Sequence, residues 1–592
     1  MEDVSPPDLH TLPPHQYPPD SKMSEKAMTK PKYFGMTGTW LTVWVTVACA
    51  TDMTLFGYDQ GVFGGVVVTQ DYINQLNLVD NASLLSTITA IYDIGCFFGA
   101  IAAVMIGDPL GRKNSILLGT TIMSVGALLQ CTAFGVPQMI VGRIVAGIGN
   151  GINTSTAPVW QGETSKASWR VSFIGSTLFY LADSLIVILN IFGFMLSNWV
   201  TFGFSYLDGG VSWRVPLAFQ FIFIVILYAT VPWLPESPRW LISKGRIEEA
   251  NHILAALEST THDDPYIITA SNEIQYAVDY ERENSPSWGE LLRGKTGKEG
   301  GTCTMRRLFL GMGAQAMQQL GGINVTSYYL PTVLIQSVGL TEKLARLLAA
   351  CNSVSYLLFS FISIPNVEKW GRRNMMIYAS LGQGCCYLLI TILLRFNEMD
   401  GYAHKNEVAS ASIAFFFLYY VFFGIGWQGV PWLYPTEINS LSMRTKGAAL
   451  GTATNWIMNF MVVEITPIGI NSIHWKFYII WTVFNFSFIP VVYLWYPETA
   501  DRTLEDMDRF FRENHDVFVF RHKDAISTKR PLAYIEREQD EVRRTSSVHA
   551  GMAMDAARNK SNATEFNEKR EGTGRNATLS TDGSHDEFKE DV

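Results

Sequence analysis

Charge is scarce in this chain: Asp, Glu, Lys and Arg make up only 17% of its 592 residues, and they sit mainly in tails and loops. The net charge of -9 is not organised into a basic stripe, so nucleic acid is not an expected partner. Cysteine is sparse as well. The seven cysteines are odd in number, lie mostly in apolar segments and show no metal-ligand spacing, which leaves them as small packing residues and gives no reason to expect a metal. No nucleophile-base set and no phosphate-binding loop is visible, so neither an enzyme nor a cofactor is expected. An apolar signal core is missing too, because residues 1–32 are polar and rich in proline.

Apolar sequence is abundant. Hydrophobic residues reach 48%, and about twelve apolar runs, from 40–66, 84–106 and 116–134 through the seventh at 308–334 to 447–470 and 475–495, approach the ~20 residues that carry a helix across a hydrocarbon core. An all-α membrane protein with twelve transmembrane helices is expected. Short loops rich in Lys and Arg mark the cytoplasmic side. Arg112 and Lys113, Lys166 and Arg170, the loop 235–307, Arg372 and Arg373, and Arg444 and Lys446 alternate onto one side together with both termini. The stretch Thr69 to Ser83 on the opposite side has no Lys or Arg and holds the sequon Asn81-Ala82-Ser83.

Three charged motifs occur twice in the same order. Asp108 with Arg112 returns as Glu368 with Arg372, Glu163 with Arg170 returns as Glu437 with Arg444, and Glu236 with Arg239 returns as Glu498 with Arg502. Repeats on the same side of the membrane imply two parallel six-helix halves. The layout is then a disordered cytoplasmic N-tail over 1–35, a bundle over 36–234, a cytoplasmic linker with short helices over 235–307, a second bundle over 308–496 and a mostly disordered cytoplasmic tail over 497–592. Carboxylates and guanidiniums at neighbouring helix ends can form forked hydrogen bonds. These repeated charges are therefore expected to act as a cytoplasmic latch.

Asp59, in Phe56-Gly57-Tyr58-Asp59-Gln60-Gly61, puts a carboxylate inside the first apolar run. Such a group costs roughly 2.5 to 3.5 kcal/mol on insertion scales, so it is a functional candidate.

Taken together, the Asp59 motif, Gly111-Arg112-Lys113, Gly142-Arg143 with Gly147, Gly149 and Gly151, Pro235-Glu236-Ser237-Pro238-Arg239, Gln318 to Asn324 and Pro497-Glu498-Thr499 resemble the sugar porters of the major facilitator superfamily. The stretch Asn153 to Trp160 is similar to the fungal sugar and polyol permease branch. The resemblance covers about 35–510. It implies a multi-pass plasma-membrane transporter, acting as a monomer in the lipid bilayer, that imports a monosaccharide by alternating access. It also implies substrate contacts from Gln318, Gln319, Asn324, Trp432, Asn455 and Asn459, and a gate at Tyr328 and Tyr329. Amides suit such a ligand, since they match hydroxyls as donors and acceptors without charge. Asp59 is implied to pair with Arg143 and to carry a proton. Proton symport, facilitated diffusion and polyol symport remain open, as does a non-transporting sugar sensor on the same fold.

Helix five departs from the family. Val171 to Tyr180 lacks the expected residues after Arg170, Asp183 falls inside the membrane, and Glu163 to Glu236 spans twelve residues more than Glu437 to Glu498. Retained intron sequence over about 171–187 and ordinary divergence both account for this, and no substrate role is assigned to Tyr180 or Asp183. Glu464 is a further intramembrane acid, expected to be satisfied by a polar neighbour.

Overall fold

The computed structural model describes residue 33 and residues 36–79, 81–165, 173–293, 303–532 and 534–537; of residues 173–187 and 292 only the backbone is described. Every regular element among them is helical. The first half holds α1 (Thr39–Val66), the short α2 (Gln70–Gln75), α3 (Ala82–Cys131), α4 (Val136–Thr164), α5 (Phe173–Phe204), α6 (Val211–Ala218) and α7 (Gln220–Thr230). Four linker helices follow: α8 (Pro238–Ser243), α9 (Ile247–Glu258), α10 (Pro265–Asn284) and α11 (Trp288–Leu292). The second half holds α12 (Thr304–Leu320), α13 (Ile323–Ser327), α14 (Leu330–Gln336), α15 (Glu342–Ser360), α16 (Ser363–Trp370), α17 (Arg372–Asn397), α18 (Lys405–Phe422), α19 (Val430–Ile438), α20 (Arg444–Ile473) and α21 (Phe477–Trp495). Beyond it lie α22 (Leu504–Glu513) and α23 (Lys523–Ile526).

Among the described residues, six helical runs are long and apolar enough to cross a membrane, or seven with the bent pair α15 and α16. Two of the six, of 50 and 52 residues, have the length of two crossings each. The expected break between 106 and 116 is not a loop. It is a kink inside α3 at Gly111, whose φ of 81° a residue with a Cβ rarely adopts.

The seventh expected span, 308–334, is not one helix either. It is divided into α12, α13 and α14, with Gly322 at φ 88° between the first two. Backbone groups freed inside an apolar span need partners. The Gly321 carbonyl accepts from the Tyr419 hydroxyl at 2.9 Å and from Asn485 Nδ2 at 2.9 Å, and the Gly322 carbonyl accepts from Tyr387 at 2.7 Å. The break is thus built in by residues from three other helices.

The chain divides into two compact units. One comprises Met1–Val62, Ile94–Ser197 and Gly210–Asp279; the other comprises Phe63–Asp93, Asn198–Gly209 and Tyr280–Val592. In the first unit α4 lies close against both halves of α3 through its glycines. A Cβ on Gly151 would stand 2.2 Å from the Cys96 carbonyl, and one on Gly149 would stand 2.4 Å from the Gly119 carbonyl. Small residues let membrane helices approach to van der Waals contact, which drives their association in lipid.

In the second unit, the start of α2 and the end of α5 are tied to α15 by one guanidinium. Arg346, only 2% exposed, donates to Thr69 Oγ1 at 2.8 Å, to the Thr201 carbonyl at 3.3 Å and to Glu342 at 2.6 Å. Glu464 accepts from Thr87 at 2.8 Å. The segment after α21 folds back on the same unit: Arg307 at the start of α12 meets Asp508 at 2.5 Å, and Arg530 forks onto Asp506 at 2.7 and 3.0 Å.

Replacing Gly151 by Leu is expected to abolish monodisperse protein or to lower its melting temperature sharply. Overpacking costs about 1 to 3 kcal/mol, and here the obstacle is backbone, which cannot rotate away. Gly203→Ala, whose Cβ meets nothing within 4 Å, is the control and should leave stability unchanged. Size-exclusion chromatography after a heating step distinguishes the two.

Candidate functional site

Two charge knots stand at the Lys/Arg-rich helix ends, one in each unit, and they are built alike. In the first, Arg112 forks onto Glu163 through Nε at 2.9 Å and through a terminal nitrogen at 3.0 Å. In the second, Arg372 forks onto Glu437 at 3.1 and 2.7 Å. Each guanidinium also reaches back to a carbonyl five residues earlier, Gly107 at 3.4 Å and Val367 at 3.1 Å. A second carboxylate then caps the helix that follows. Glu236 accepts from the backbone N–H of Arg112 at 2.9 Å and of Lys113 at 3.3 Å, and Glu498 accepts from those of Arg372 at 2.7 Å and Arg373 at 3.2 Å.

Glycine is needed at the corner of each knot. A Cβ on Gly111 would lie 2.6 Å from Glu236 Oε2, and one on Gly371 would lie 2.2 Å from Glu498 Oε2. The acid four residues before each arginine differs between the halves. Glu368 reaches Arg372 at 2.6 Å, whereas the shorter Asp108 contributes its carbonyl, which accepts from Trp240 Nε1 at 2.8 Å. Arg239 lies in α8, Arg444 opens α20, and Arg170 falls outside the described residues.

Asp59 and Arg143 are both fully buried in the first unit. A polar seam between α1 and α4 shows how they are aligned. Gln161 donates to Thr46 at 2.8 Å, Cys49 to the Ala157 carbonyl at 3.5 Å, and Asn153 to Asp52 at 2.7 Å. Three residues along α1 therefore match about four back along α4. Seven further on α1, from Asp52 to Asp59, correspond to about nine on α4, which brings the register to Arg143 or its neighbour. Gly57 gives α1 close contact with α5, since a Cβ there would sit 1.8 Å from the Asn190 carbonyl.

The amides fall in the second unit and form one cluster. Gln318 donates to the carbonyls of Trp427 and Gln428 at 2.7 and 3.2 Å. Asn455 donates to Gln318 at 2.8 Å and to Gln315 at 2.6 Å. Gln319 donates to Gln318 at 3.4 Å and accepts from Asn324. The accepting carbonyls belong to the last residue of a π-turn at Phe423–Trp427 and to the residue after it, between α18 and α19, a distortion that frequently marks functional positions in helices. Gln428 in turn is bonded to the Tyr356 hydroxyl.

Asn459 lies one turn beyond Asn455 on α20. Asn459 donates to Asp93 at 3.1 Å, and Trp432 is half-buried one turn beyond Gln428. Tyr328 and Tyr329 are both fully buried where α13 gives way to α14. Sequence reasoning passed over Gln315, Gln428, Tyr356, Asp93 and Asp52. Gln315 was within reach, being one turn before Gln318 on the same face, and both acids interrupt apolar runs as Asp59 does.

Comparison with known proteins agrees with this architecture. Residues 44–511 match the family described as Sugar (and other) transporter. The chain is 58% identical over 521 residues to the MFS-type transporter oryC of Aspergillus oryzae, an alignment covering 88% of this chain and 94% of that one. It is 33% identical over 516 residues to the Sugar transporter STL1 of Saccharomyces cerevisiae, covering 84% and 86%. Among solved structures, the proton:xylose symporter XylE of E. coli superposes with a TM-score of 0.66 at 22% identity, over 80% of this chain and all of that one.

Both capping carboxylates lie outside the spanning segments, and burial pushes each above the usual carboxylate range, against the pull of the backbone N–H groups they accept from. Folding then favours their protonated forms. Their contribution to stability is complete at low pH and is lost as the pH rises through the folded pKa values. The paired variant Glu236→Gln, Glu498→Gln should show a smaller fall in melting temperature than the wild type as pH rises from about 4.5. Equal slopes in a fluorescence melt across pH would remove this assignment.

Proposed function

We propose, since the chain belongs to the sugar transporter family of the major facilitator superfamily, that it imports a monosaccharide together with a proton across the plasma membrane. The observation that carries this reading is the buried amide cluster of Gln315, Gln318, Gln319, Asn324 and Asn455. Each side-chain amide has two donors and two acceptor lone pairs, so the bonds within the cluster leave capacity for a polyhydroxylated ligand. No group in the cluster is charged, which suits a neutral solute. The substrate class comes from these amides and from the name of the 33% identical relative, a sugar transporter, because that of the 58% identical one specifies no substrate.

Proton coupling rests on Asp59 and Arg143. A carboxylate in register with a guanidinium can lose its charge on protonation and regain the pair on release, which links the proton to the state of the helix pair. Tyr328 and Tyr329, at a helix break, gate the path. The twin knots close the cytoplasmic end, where both termini lie. The protein is a transporter rather than an enzyme, and it acts as a monomer.

Labelled D-glucose, D-xylose and glycerol, presented to a yeast strain lacking its own carriers, test the substrate. Uptake of a sugar that accumulates and collapses with protonophore is expected. Asp59→Asn should leave at most equilibrating uptake, and Gln318→Ala should raise KM by about tenfold, as the loss of one or two neutral hydrogen bonds predicts. Accumulation of glycerol alone would change the substrate class. Uptake indifferent to protonophore would make the protein a facilitator.

A further inference from the structure

The seam between α1 and α4 holds a second carboxylate that the coupling pair does not use. Asp52 is 2% exposed and lies two helical turns before Asp59 on almost the same face of α1, about 10 Å along the axis. One of its oxygens accepts from Asn153 Nδ2 at 2.7 Å. The other is buried without a hydrogen-bond partner among the described residues. Asn153 is fixed in turn by Thr120 on α3, to whose hydroxyl it donates at 3.2 Å.

An anionic carboxylate with one neutral amide donor and an unanswered oxygen is costly in this setting, whereas a protonated one is not. Among the described residues the surrounding charges offer no counterion. On α1 the other acid is Asp59. On α4 the charged residues are Arg143 and Glu163, each ten residues from Asn153 and so about 15 Å along the helix. On α3 the nearest in sequence is Lys113, seven residues from Thr120. On α5 residues 188–204 carry no charge, and the side chain of Asp183 falls outside the described residues.

Position adds the second part of the argument. Going down the seam from Asp59 and Arg143 one meets Asp52 with Asn153, then Thr46 with Gln161, and then Glu163 of the first charge knot. On α1 these groups follow one another within about two turns, Thr46 to Asp52 to Asp59.

We propose that Asp52 is a second proton-binding carboxylate of this transporter, taking up the proton that Asp59 releases and passing it toward the knot end of the seam. The proton leaves an Asp59 oxygen to water and joins an Asp52 oxygen from water. Asp59 becomes the anion beside Arg143 while Asp52 becomes neutral, and no other bond is made or broken. Asn153 holds the acceptor oxygen in place and Thr120 holds Asn153. This role rests on the proton-coupled reading above, but the protonation of Asp52 does not.

Infrared difference spectra of the purified protein in lipid vesicles, taken between mildly acidic and mildly alkaline buffer, test it without a substrate. Asp52→Asn keeps an acceptor for Asn153 and removes the titration. The wild type is expected to show a protonated-carboxyl C=O band that Asp52→Asn removes and Asp59→Asn does not. Asn153→Ala, which leaves Asp52 in place, should shift the same band, so the test stands if Asp52→Asn cannot be purified. A band that neither variant alters, or that only Asp59→Asn removes, overturns the proposal. In the yeast assay Asp52→Asn should lose accumulation of the solute the wild type concentrates. A wild type that concentrates none contradicts the coupled reading, while the infrared result still decides whether Asp52 binds a proton.

Discussion

A charge buried at a membrane helix must be met at hydrogen-bond distance, and this constraint shapes the molecule more than any other. Arg112 and Arg372 survive because a carboxylate matches the fork of each guanidinium and a backbone carbonyl takes another N–H. Glu236 and Glu498, which burial shifts toward the protonated form, are met by backbone N–H groups that offset part of that shift. The glycine corners follow from the same demand, since only a residue without a Cβ lets the chain pass so close to the carboxylate. Arg346, answered by Thr69, Thr201 and Glu342, repeats the principle away from the knots.

Neutral polar groups obey it too. The freed carbonyls of Gly321 and Gly322 are taken up by Tyr387, Tyr419 and Asn485, and the carbonyls at the end of the π-turn are taken up by Gln318. The irregular backbone and the amide cluster are therefore one construction. A ligand that engages Gln318 touches groups that also hold a break in the helix, which gives binding a direct handle on backbone conformation.

How much of this could be read beforehand varied with the kind of signal. The knots were legible because their residues recur in order, and recurrence is visible in one dimension. Asp59 stood out because glycines and aromatics surround it, while Asp52 and Asp93, equally buried, sit in plainer runs and were passed over. Gln318 and Asn455 were found as amides, but that Asn455 also bonds Gln315, and that Asn459 instead serves Asp93, depends on helix rotation that spacing does not set. The break at Gly322 was hidden because apolar residues resume beyond Ser327, so that 308–334 has the length of one span. The ordering of α22 and its ion pairs depends on contacts about 200 residues apart, such as Arg307 with Asp508. The family resemblance reached the fold and the transporter class; the seam partners came only from geometry.

We propose that the twin knots hold one end of the helices shut and open during transport. Hydrogen-deuterium exchange at residues 107–113 and 367–373, compared with and without the transported solute in vesicles, tests it most directly. Substrate should speed amide exchange in both segments together, since an equivalent carboxylate, Glu236 in one and Glu498 in the other, protects each corner. Exchange unchanged in both, in a preparation that demonstrably transports, would show the knots to be static braces and would contradict the account.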